Sequence, residues 1–113
     1  MMNVEILYFD GCPTYEAVER TVREVLADED IEARVRLVAV NTDEEADRLR
    51  FPGSPTIRVN GRDAFAGGAE EREPWRLGCR VYATPEGLRG SPTAEMLREV
   101  LNTQGEDDAT IHR

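Results

Sequence analysis

The sequence predicts one α/β domain with a four-stranded mixed sheet and helices on both faces. Three observations predict this fold: a strand–helix–strand pattern at the N-terminus, an Asn-Gly pair between two short strands, and an apolar helical stripe near the C-terminus. A βαβ unit joins parallel strands through a right-handed crossover, and a hairpin then adds an antiparallel edge. With 113 residues the chain is long enough for one core and too short for two ordinary domains.

The first strand and helix are predicted around a cysteine. Residues 4–9 are mostly apolar, which indicates a buried strand. We expect Cys12 and Pro13 to open a helix, because the N–H that proline lacks would be unpaired at the first helical position. This helix should end near Ala27. Its apolar face, at helical spacing, carries Tyr15, Val18, Val22, Val25 and Leu26.

A second strand and a short helix follow. Residues 33–40 alternate at first and then become continuously apolar, which predicts a strand that enters the core of the sheet. Thr42 and Glu45 form a capping-box pattern, which predicts the start of a helix. Residues 51–55 include two prolines and a glycine, so we expect the helix to end there.

The strongest local signal is a β-hairpin. Asn60-Gly61 separates residues 56–59 from residues 62–65, and this dipeptide favours a two-residue turn. In that register Arg58 lies opposite Asp63, so the two charges support the pairing.

The C-terminal part is less regular. Residues 66–77 predict an irregular loop, residues 79–83 a short strand and residues 85–87 a turn. Ser91 is expected to cap a last helix that has Pro92 at its first position. The predicted buried face of this helix is Met96, Leu97, Val100 and Leu101. The domain should cover residues 1–103, and residues 104–113 are expected to form a polar, disordered tail.

Composition excludes several kinds of function. The net charge of −9 argues against nucleic acid and anionic membrane as partners, since both require a basic surface. No apolar run approaches the roughly 20 residues of a membrane span, and no secretory signal is evident, so a cytoplasmic location is predicted. The only histidine is His112, in the tail, which leaves no base for a Ser/His/Asp or Cys/His mechanism. We expect neither a cofactor nor a metal site.

Cys12 is the candidate reactive group. At the start of a helix, unpaired N–H groups and the helix dipole favour a thiolate, so we expect an exposed thiol with a lowered pKa. Asp10 and Glu16 should limit the drop by charge repulsion. The alternative is a buried, inert cysteine that packs as a small hydrophobic residue.

The loop before the third strand is the second candidate. Pro55 precedes a strand and follows a helix, which makes a cis Ser54–Pro55 bond plausible, against the alternative of an ordinary trans turn. In the predicted topology this loop lies beside the first helix. The backbone of Ser54 and Thr56 would then bind an extended substrate next to Cys12.

Together these segments resemble a known family. A strand, then Asp-Gly-Cys-Pro-Thr-Tyr and a helix, followed by Gly-Ser-Pro-Thr and a hairpin, is similar to the thioredoxin superfamily. More narrowly, the chain resembles small bacterial thioredoxin-like proteins with a Phe-Asp-Gly-Cys-Pro start and a later Cys-Arg-x-Tyr segment. The resemblance covers residues 3–102. It implies a thiol–disulfide oxidoreductase with Cys12 as the attacking cysteine and Pro55 as the cis-proline; Pro13, Tyr15 and residues 54–56 would line the substrate.

The chain departs from that family at one position. Tyr15 stands where the second cysteine of Cys-x-x-Cys would be, so the usual disulfide cannot form. Either Cys12 works alone with a small thiol such as glutathione, or Cys79 resolves the mixed disulfide. The alternative for Cys79 is a buried core residue that shares strand spacing with Val81 and Ala83. The expected partners are protein or small-molecule thiols and disulfides.

Two other functions remain open. Cys12 and Cys79 could hold a soft electrophile such as an organomercurial, with Asp10 as the acid. The domain could also be a non-catalytic binding module that keeps the fold without the redox chemistry. Trp75 is expected to anchor the long loop to the core, and the charged run at residues 70–73 to be a solvated part of that loop.

Overall fold

The structure is a computed structural model that describes the backbone of residues 1–65 and 77–111, with side chains up to residue 103. Strands and helices alternate through the first two thirds of the chain. In order, the elements are β1 (Met2–Tyr8), α1 (Tyr15–Asp28), β2 (Ala33–Ala39), α2 (Asp43–Leu49), β3 (Thr56–Val59), β4 (Arg62–Asp63), β5 (Tyr82–Thr84), β6 (Gly87–Arg89) and α3 (Ala94–Ile111).

The main sheet has the strand order β2-β1-β3-β4. Strand β1 is parallel to β2 and antiparallel to β3, and β4 returns antiparallel beside β3. Arg58 lies opposite Asp63, as the hairpin signal predicts. The prediction of an α/β domain with a four-stranded mixed sheet is therefore confirmed.

The helices cover both faces of this sheet. Successive residues of a strand point to opposite faces. Val4 and Ile6 of β1 pack against buried residues of α1 and α3, whereas Leu7 packs with Ala46 of α2. The face with α1 and α3 holds the larger core cluster: Met2, Val4, Ile6, Val18, Val22, Val25, Leu26, Ile57, Val59, Tyr82, Leu97 and Leu101.

Strand β2 lies at the edge of the sheet, so the prediction that it enters the sheet core is wrong. It pairs with β1 alone among the described strands, and Leu37 is 37% exposed. The apolar end of this segment has another cause. Val38 and the fully buried Val40 belong to the smaller cluster that α2 covers, so burial on one face explains the run.

The helix boundaries show which caps the chain uses. The predicted start of α2 is confirmed, because Thr42 is the N-cap and its hydroxyl accepts a hydrogen bond from the Glu45 N–H (3.1 Å). For α3 the predicted Ser91 cap is wrong. The Thr93 hydroxyl accepts from the Met96 N–H (3.1 Å), which starts the helix at Ala94.

Helix α3 buries a narrower stripe than predicted and is longer. Leu97 and Leu101 are fully buried, whereas Met96 and Val100 are only partly buried. The backbone is helical to Ile111, past residue 104, where the sequence predicts a disordered tail; no proline follows Pro92 to interrupt it. Across the described residues, none of the helices has the length and apolar character needed to span a bilayer.

A second hairpin, formed by β5 and β6, was not predicted. Tyr82 pairs with Arg89 and Ala83 with Leu88 around a tight turn. The sequence predicted a strand over residues 79–83 and a turn at residues 85–87; the structure starts the strand at Tyr82 and has the turn at residues 85 and 86. The partner strand β6 is only three residues long, Gly87–Arg89, which is too short to show an alternating pattern.

Candidate functional site around Cys12

Cys12 lies in the turn between β1 and α1, and it is buried. Its N–H donates to the Phe9 carbonyl (2.9 Å), and α1 begins three residues later at Tyr15, with Thr14 as the N-cap. Only 6% of Cys12 is exposed, so the prediction of an exposed thiol at the start of the helix is wrong. The closed turn holds the thiol beside the loop before β3, where it interacts with the Ser54 hydroxyl.

Four neighbouring groups lower the pKa of the Cys12 thiol, and the Thr14 hydroxyl lies 3.5 Å from its sulfur. Burial raises the pKa of the thiol, but hydrogen bonds from the Ser54 and Thr14 hydroxyls and from the N–H groups of Thr14 and Tyr15 lower it. The net effect lowers the pKa of Cys12 below its ordinary value of 9.0, because donors to the sulfur stabilise the charged form. The predicted direction of the shift is confirmed, although the cysteine is buried.

Ser54, in the loop before β3, connects the end of β1 with the Cys12 thiol. It is 1% exposed, and its hydroxyl accepts a hydrogen bond from the Phe9 N–H (3.4 Å) at the end of β1. A hydroxyl has one proton and two lone pairs. Since Phe9 occupies a lone pair, the Ser54 proton is free to point at the sulfur of Cys12.

Thr14 occupies the N-cap of α1, but its side chain does not cap the helix. Its hydroxyl lies 3.5 Å from the Cys12 sulfur and donates to the Gly90 carbonyl (3.4 Å) just after β6. The Thr14 hydroxyl has one proton, which it can donate either to the Gly90 carbonyl or to the Cys12 sulfur. We therefore expect the Thr14 hydroxyl to turn from Gly90 to the sulfur when Cys12 ionises.

The backbone of Ser54 is paired within the chain. Its N–H donates to the Gly78 carbonyl (2.8 Å), and its carbonyl accepts from the Arg80 N–H (2.9 Å), which forms a parallel bridge between Ser54 and Cys79. The Ser54–Pro55 peptide is cis, as predicted. The expectation that the Ser54 backbone is open to an extended substrate is wrong, because both of its groups already have partners.

Thr56, the other predicted clamp residue, is also committed to the fold. It is the first residue of β3 and lies opposite Leu7 of β1. Its hydroxyl donates to the Gly53 carbonyl (2.5 Å), and no part of the residue is exposed. Thr56 therefore stabilises the loop before β3 from inside the protein and does not face a substrate.

Arg80 anchors the segment that bridges to Ser54. Its guanidinium forms a buried ion pair with Asp63 (2.6 Å) and donates to the Phe65 carbonyl (2.9 Å). The Asp63 side chain is 0% exposed. A side chain at Gly53 would place its Cβ 2.9 Å from the Arg80 Cβ, so the close approach of the two segments requires glycine there.

Tyr82 closes the same cluster. Its hydroxyl donates to the Pro55 carbonyl (2.5 Å), and its ring lies 4.6 Å from the Arg80 guanidinium. Burial raises the pKa of Tyr82; the charge of Arg80 opposes this increase, and the charges of Asp63 and Cys12 add to it. Arg80, Asp63 and Tyr82 were not predicted as site residues. Arg80 and Tyr82 had one signal, the Cys-Arg-x-Tyr segment of the family resemblance, and Asp63 was expected only opposite Arg58 in the hairpin.

The remaining predicted site residues lie around the turn. The Tyr15 ring stacks on Tyr8, with centroids 4.0 Å apart and planes 13° apart, instead of joining the core face of α1. Pro13 and Asp10 are exposed. Cys79 is exposed and precedes β5, so its interpretation as a buried strand residue is wrong.

Several predictions concern residues whose structure is not described. They are the irregular loop over residues 66–76, which includes Trp75 and the charged run at 70–73, and the placement of His112 in the tail. They lie outside the described residues and stay predictions.

Removal of the Ser54 hydroxyl should make Cys12 less reactive. A hydrogen bond to a charged group contributes about 1.5 kcal/mol, so we expect Ser54→Ala to slow alkylation by iodoacetamide roughly tenfold at mildly acidic pH. The rate should level off at a higher pH than in the wild type, because the variant has a higher thiol pKa. The measurement is the pH profile of Cys12 alkylation by mass spectrometry.

The matched control removes a hydroxyl elsewhere. Thr21→Ala loses a hydroxyl that donates to the Ala17 carbonyl within α1 (3.0 Å) and should leave the profile unchanged. Identical profiles for Ser54→Ala and the wild type would show that Ser54 does not stabilise the thiolate.

Comparisons of this chain with protein-family models, with curated proteins and with solved structures found no match.

Proposed function

We propose that this protein is a thiol–disulfide oxidoreductase with a thioredoxin-like fold and Cys12 as its nucleophile. The strand order β2-β1-β3-β4, with helices on both faces, is compatible with that fold. Cys12 lies after the first strand and before the first helix, where the family resemblance implies the attacking cysteine.

The stabilised thiolate carries this proposal. The thiolate is the reactive form of cysteine, and a buried cysteine without donors would have a raised pKa. Cys12 is buried, yet four hydrogen bonds lower its pKa. An inert core cysteine needs none of these donors, so their convergence favours a chemical role.

Cys79 is the proposed resolving thiol. Ser54 is the direct bridge partner of Cys79, and its hydroxyl is one of the groups that lower the pKa of Cys12. Side chains of directly paired residues lie on the same face of a bridge, so we expect the Cys79 thiol on the side where Ser54 meets Cys12. Both cysteines are free thiols, and Cys79 is exposed.

The proposed reaction has two exchange steps. The Cys12 thiolate attacks a disulfide R–S–S–R, forming the mixed disulfide Cys12–S–S–R and releasing one RS⁻. The Cys79 thiolate then attacks the Cys12 sulfur, forming Cys12–S–S–Cys79 and releasing the second RS⁻. The substrate gains two electrons, the protein loses two, and a low-molecular-weight thiol, itself oxidised to a disulfide, returns the protein to the dithiol form.

A thiol count tests the proposal. After mild peroxide treatment we expect the monomer to lose two hydrogen atoms and both free thiols, and a reductant to restore them. The thiolate first forms a sulfenic acid with peroxide, and the second thiol displaces water from it. Intact mass and alkylation of the remaining thiols measure this change.

The control is Cys79→Ser, in which no internal disulfide can form. If both thiols stay free in the wild type, and Cys12 alkylates no faster than free cysteine, the proposal fails. That result would favour the non-catalytic binding module.

A further inference from the structure

We infer that this site takes low-molecular-weight disulfides and excludes extended polypeptide chains. The inference rests on the proposed function and names its class of substrate. Its basis is the segment of residues 78–80, here called the covering segment, which already occupies the backbone groups beside Cys12 with which a polypeptide would pair.

The covering segment lies along Ser54 as an added strand would. The Gly78 carbonyl accepts from the Ser54 N–H at 2.8 Å, and the Arg80 N–H donates to the Ser54 carbonyl at 2.9 Å. An extended peptide binds an exposed strand edge through these same donors and acceptors. With the N–H engaged and the position beside Ser54 already occupied, a second chain cannot form the pair of backbone hydrogen bonds that strand addition requires.

The next peptide group is closed as well. Proline has no N–H, and the Pro55 carbonyl accepts from the buried Tyr82 hydroxyl. Residues 54 and 55 therefore present no unpaired backbone donor, and their carbonyls are held by Arg80 and Tyr82. A polypeptide could pair here only after displacing part of the fold.

Displacing the covering segment would be costly. Arg80 is 7% exposed and is held by the Asp63 carboxylate, the Phe65 carbonyl and the Tyr82 ring. Pulling the segment away would separate the buried ion pair and leave the carboxylate of Asp63 without this partner. The covering segment is thus a fixed part of the site rather than a readily exchanged strand.

A small disulfide has no such requirement. It must bring one sulfur to the Cys12 thiolate in line with the bond that breaks, and it forms no backbone ladder. Cys12 is only 6% exposed, so a compact reagent reaches it more easily than a chain flanked by residues on both sides. The geometry therefore favours disulfides of single amino-acid size.

The test compares two disulfides with the same leaving group. One is the disulfide of N-acetylcysteine methylamide, and the other is the disulfide dimer of an unstructured decapeptide with a central cysteine. In the Cys79→Ser background the mixed disulfide on Cys12 accumulates, and mass spectrometry gives its rate of formation. We expect the small disulfide to react at least about tenfold faster, since the peptide must displace the anchored segment.

A second variant tests the cause of the difference. In the same background, Asp63→Asn with Arg80→Gln replaces the ion pair by neutral side chains of similar shape and loosens the covering segment. The peptide disulfide should then react faster relative to the small one. Amide hydrogen exchange adds a direct readout. After the small disulfide has reacted with the Cys79→Ser protein, here called the parent protein, the Ser54 and Arg80 N–H groups should stay protected from exchange.

The outcomes separate the inference from the proposed function. Equal rates for the two disulfides in the parent protein would overturn the inference and leave the oxidoreductase proposal standing. If neither disulfide reacts with the folded protein, the proposed function fails and the inference fails with it.

Discussion

Replacing Cys12 by serine should abolish disulfide exchange, whereas replacing Cys79 by serine should stop the reaction after its first step. A serine hydroxyl does not ionise near neutral pH. Cys12→Ser therefore has no nucleophile at the position where neighbouring groups lower the pKa of the wild-type thiol. In Cys79→Ser the Cys12 thiolate still attacks, and the mixed disulfide persists because no resolving thiol follows. Intact mass after incubation with bis(2-hydroxyethyl) disulfide distinguishes an unmodified protein from a protein with one adduct.

The double variant Cys12→Ser/Cys79→Ser supplies the background, because it contains no thiol. The exposed Cys79 makes the contrary result easy to recognise. If Cys12→Ser forms the adduct as fast as Cys79→Ser does, Cys79 is itself a competent nucleophile and the assignment of Cys12 as the attacking cysteine is wrong.

Among the substitutions proposed for this protein, removing the carboxylate of Asp63 should lower the free energy of unfolding the most. Asp63→Ala leaves the Arg80 guanidinium, which is 8% exposed at its side chain, without its charged partner. Breaking a buried ion pair in this way costs about 3–5 kcal/mol in the free energy of unfolding. Urea denaturation followed by circular dichroism measures the loss as a lower midpoint at an unchanged slope.

Glu19→Ala is the matched control for this variant. Glu19 and Arg23 form an ion pair on the surface of α1 (3.1 Å), with the Arg23 side chain 55% exposed. Exposed pairs along a helix contribute about 0.3–0.5 kcal/mol, so this variant should stay close to the wild type. Equal stabilities for Asp63→Ala and Glu19→Ala would show that the Asp63–Arg80 pair does not hold the covering segment.

The Asp63–Arg80 ion pair also connects the stability of the protein with its proposed function. Asp63 and Arg80 touch neither sulfur, but they fix the segment in which Cys79 follows Gly78 and bridges to Ser54. Loss of the ion pair should therefore affect the resolving thiol through its position, whereas the donors to Cys12 lie on the turn, on α1 and on the loop before β3.

Local sequence signals were sufficient for much of the fold. The apolar period predicted the buried face of α1 at Val18, Val22 and Val25, and the capping box predicted the start of α2. The Asn-Gly turn fixed the register that places Arg58 opposite Asp63. Each of these features depends on residues a few positions apart, so the backbone geometry of one element determines it.

The site depended on residues that are distant in the sequence. The Phe9 N–H and the Ser54 hydroxyl meet 45 residues apart, and the Asp63–Arg80 pair joins positions 17 residues apart. No period or turn signal extends over such distances. The burial of Cys12, the exposure of Cys79 and the pairing of the Ser54 backbone were therefore mispredicted or left open.

By itself, then, the sequence determined the mixed sheet and the position of Cys12 between β1 and α1, and the family resemblance implied the cis Ser54–Pro55 bond. Only the tertiary structure decided that the thiol is buried among donors and that the covering segment is paired with Ser54. The physical reason is that strand and helix formation follow from local periodicity, whereas hydrogen bonds between side chains and loops form only after the elements have packed.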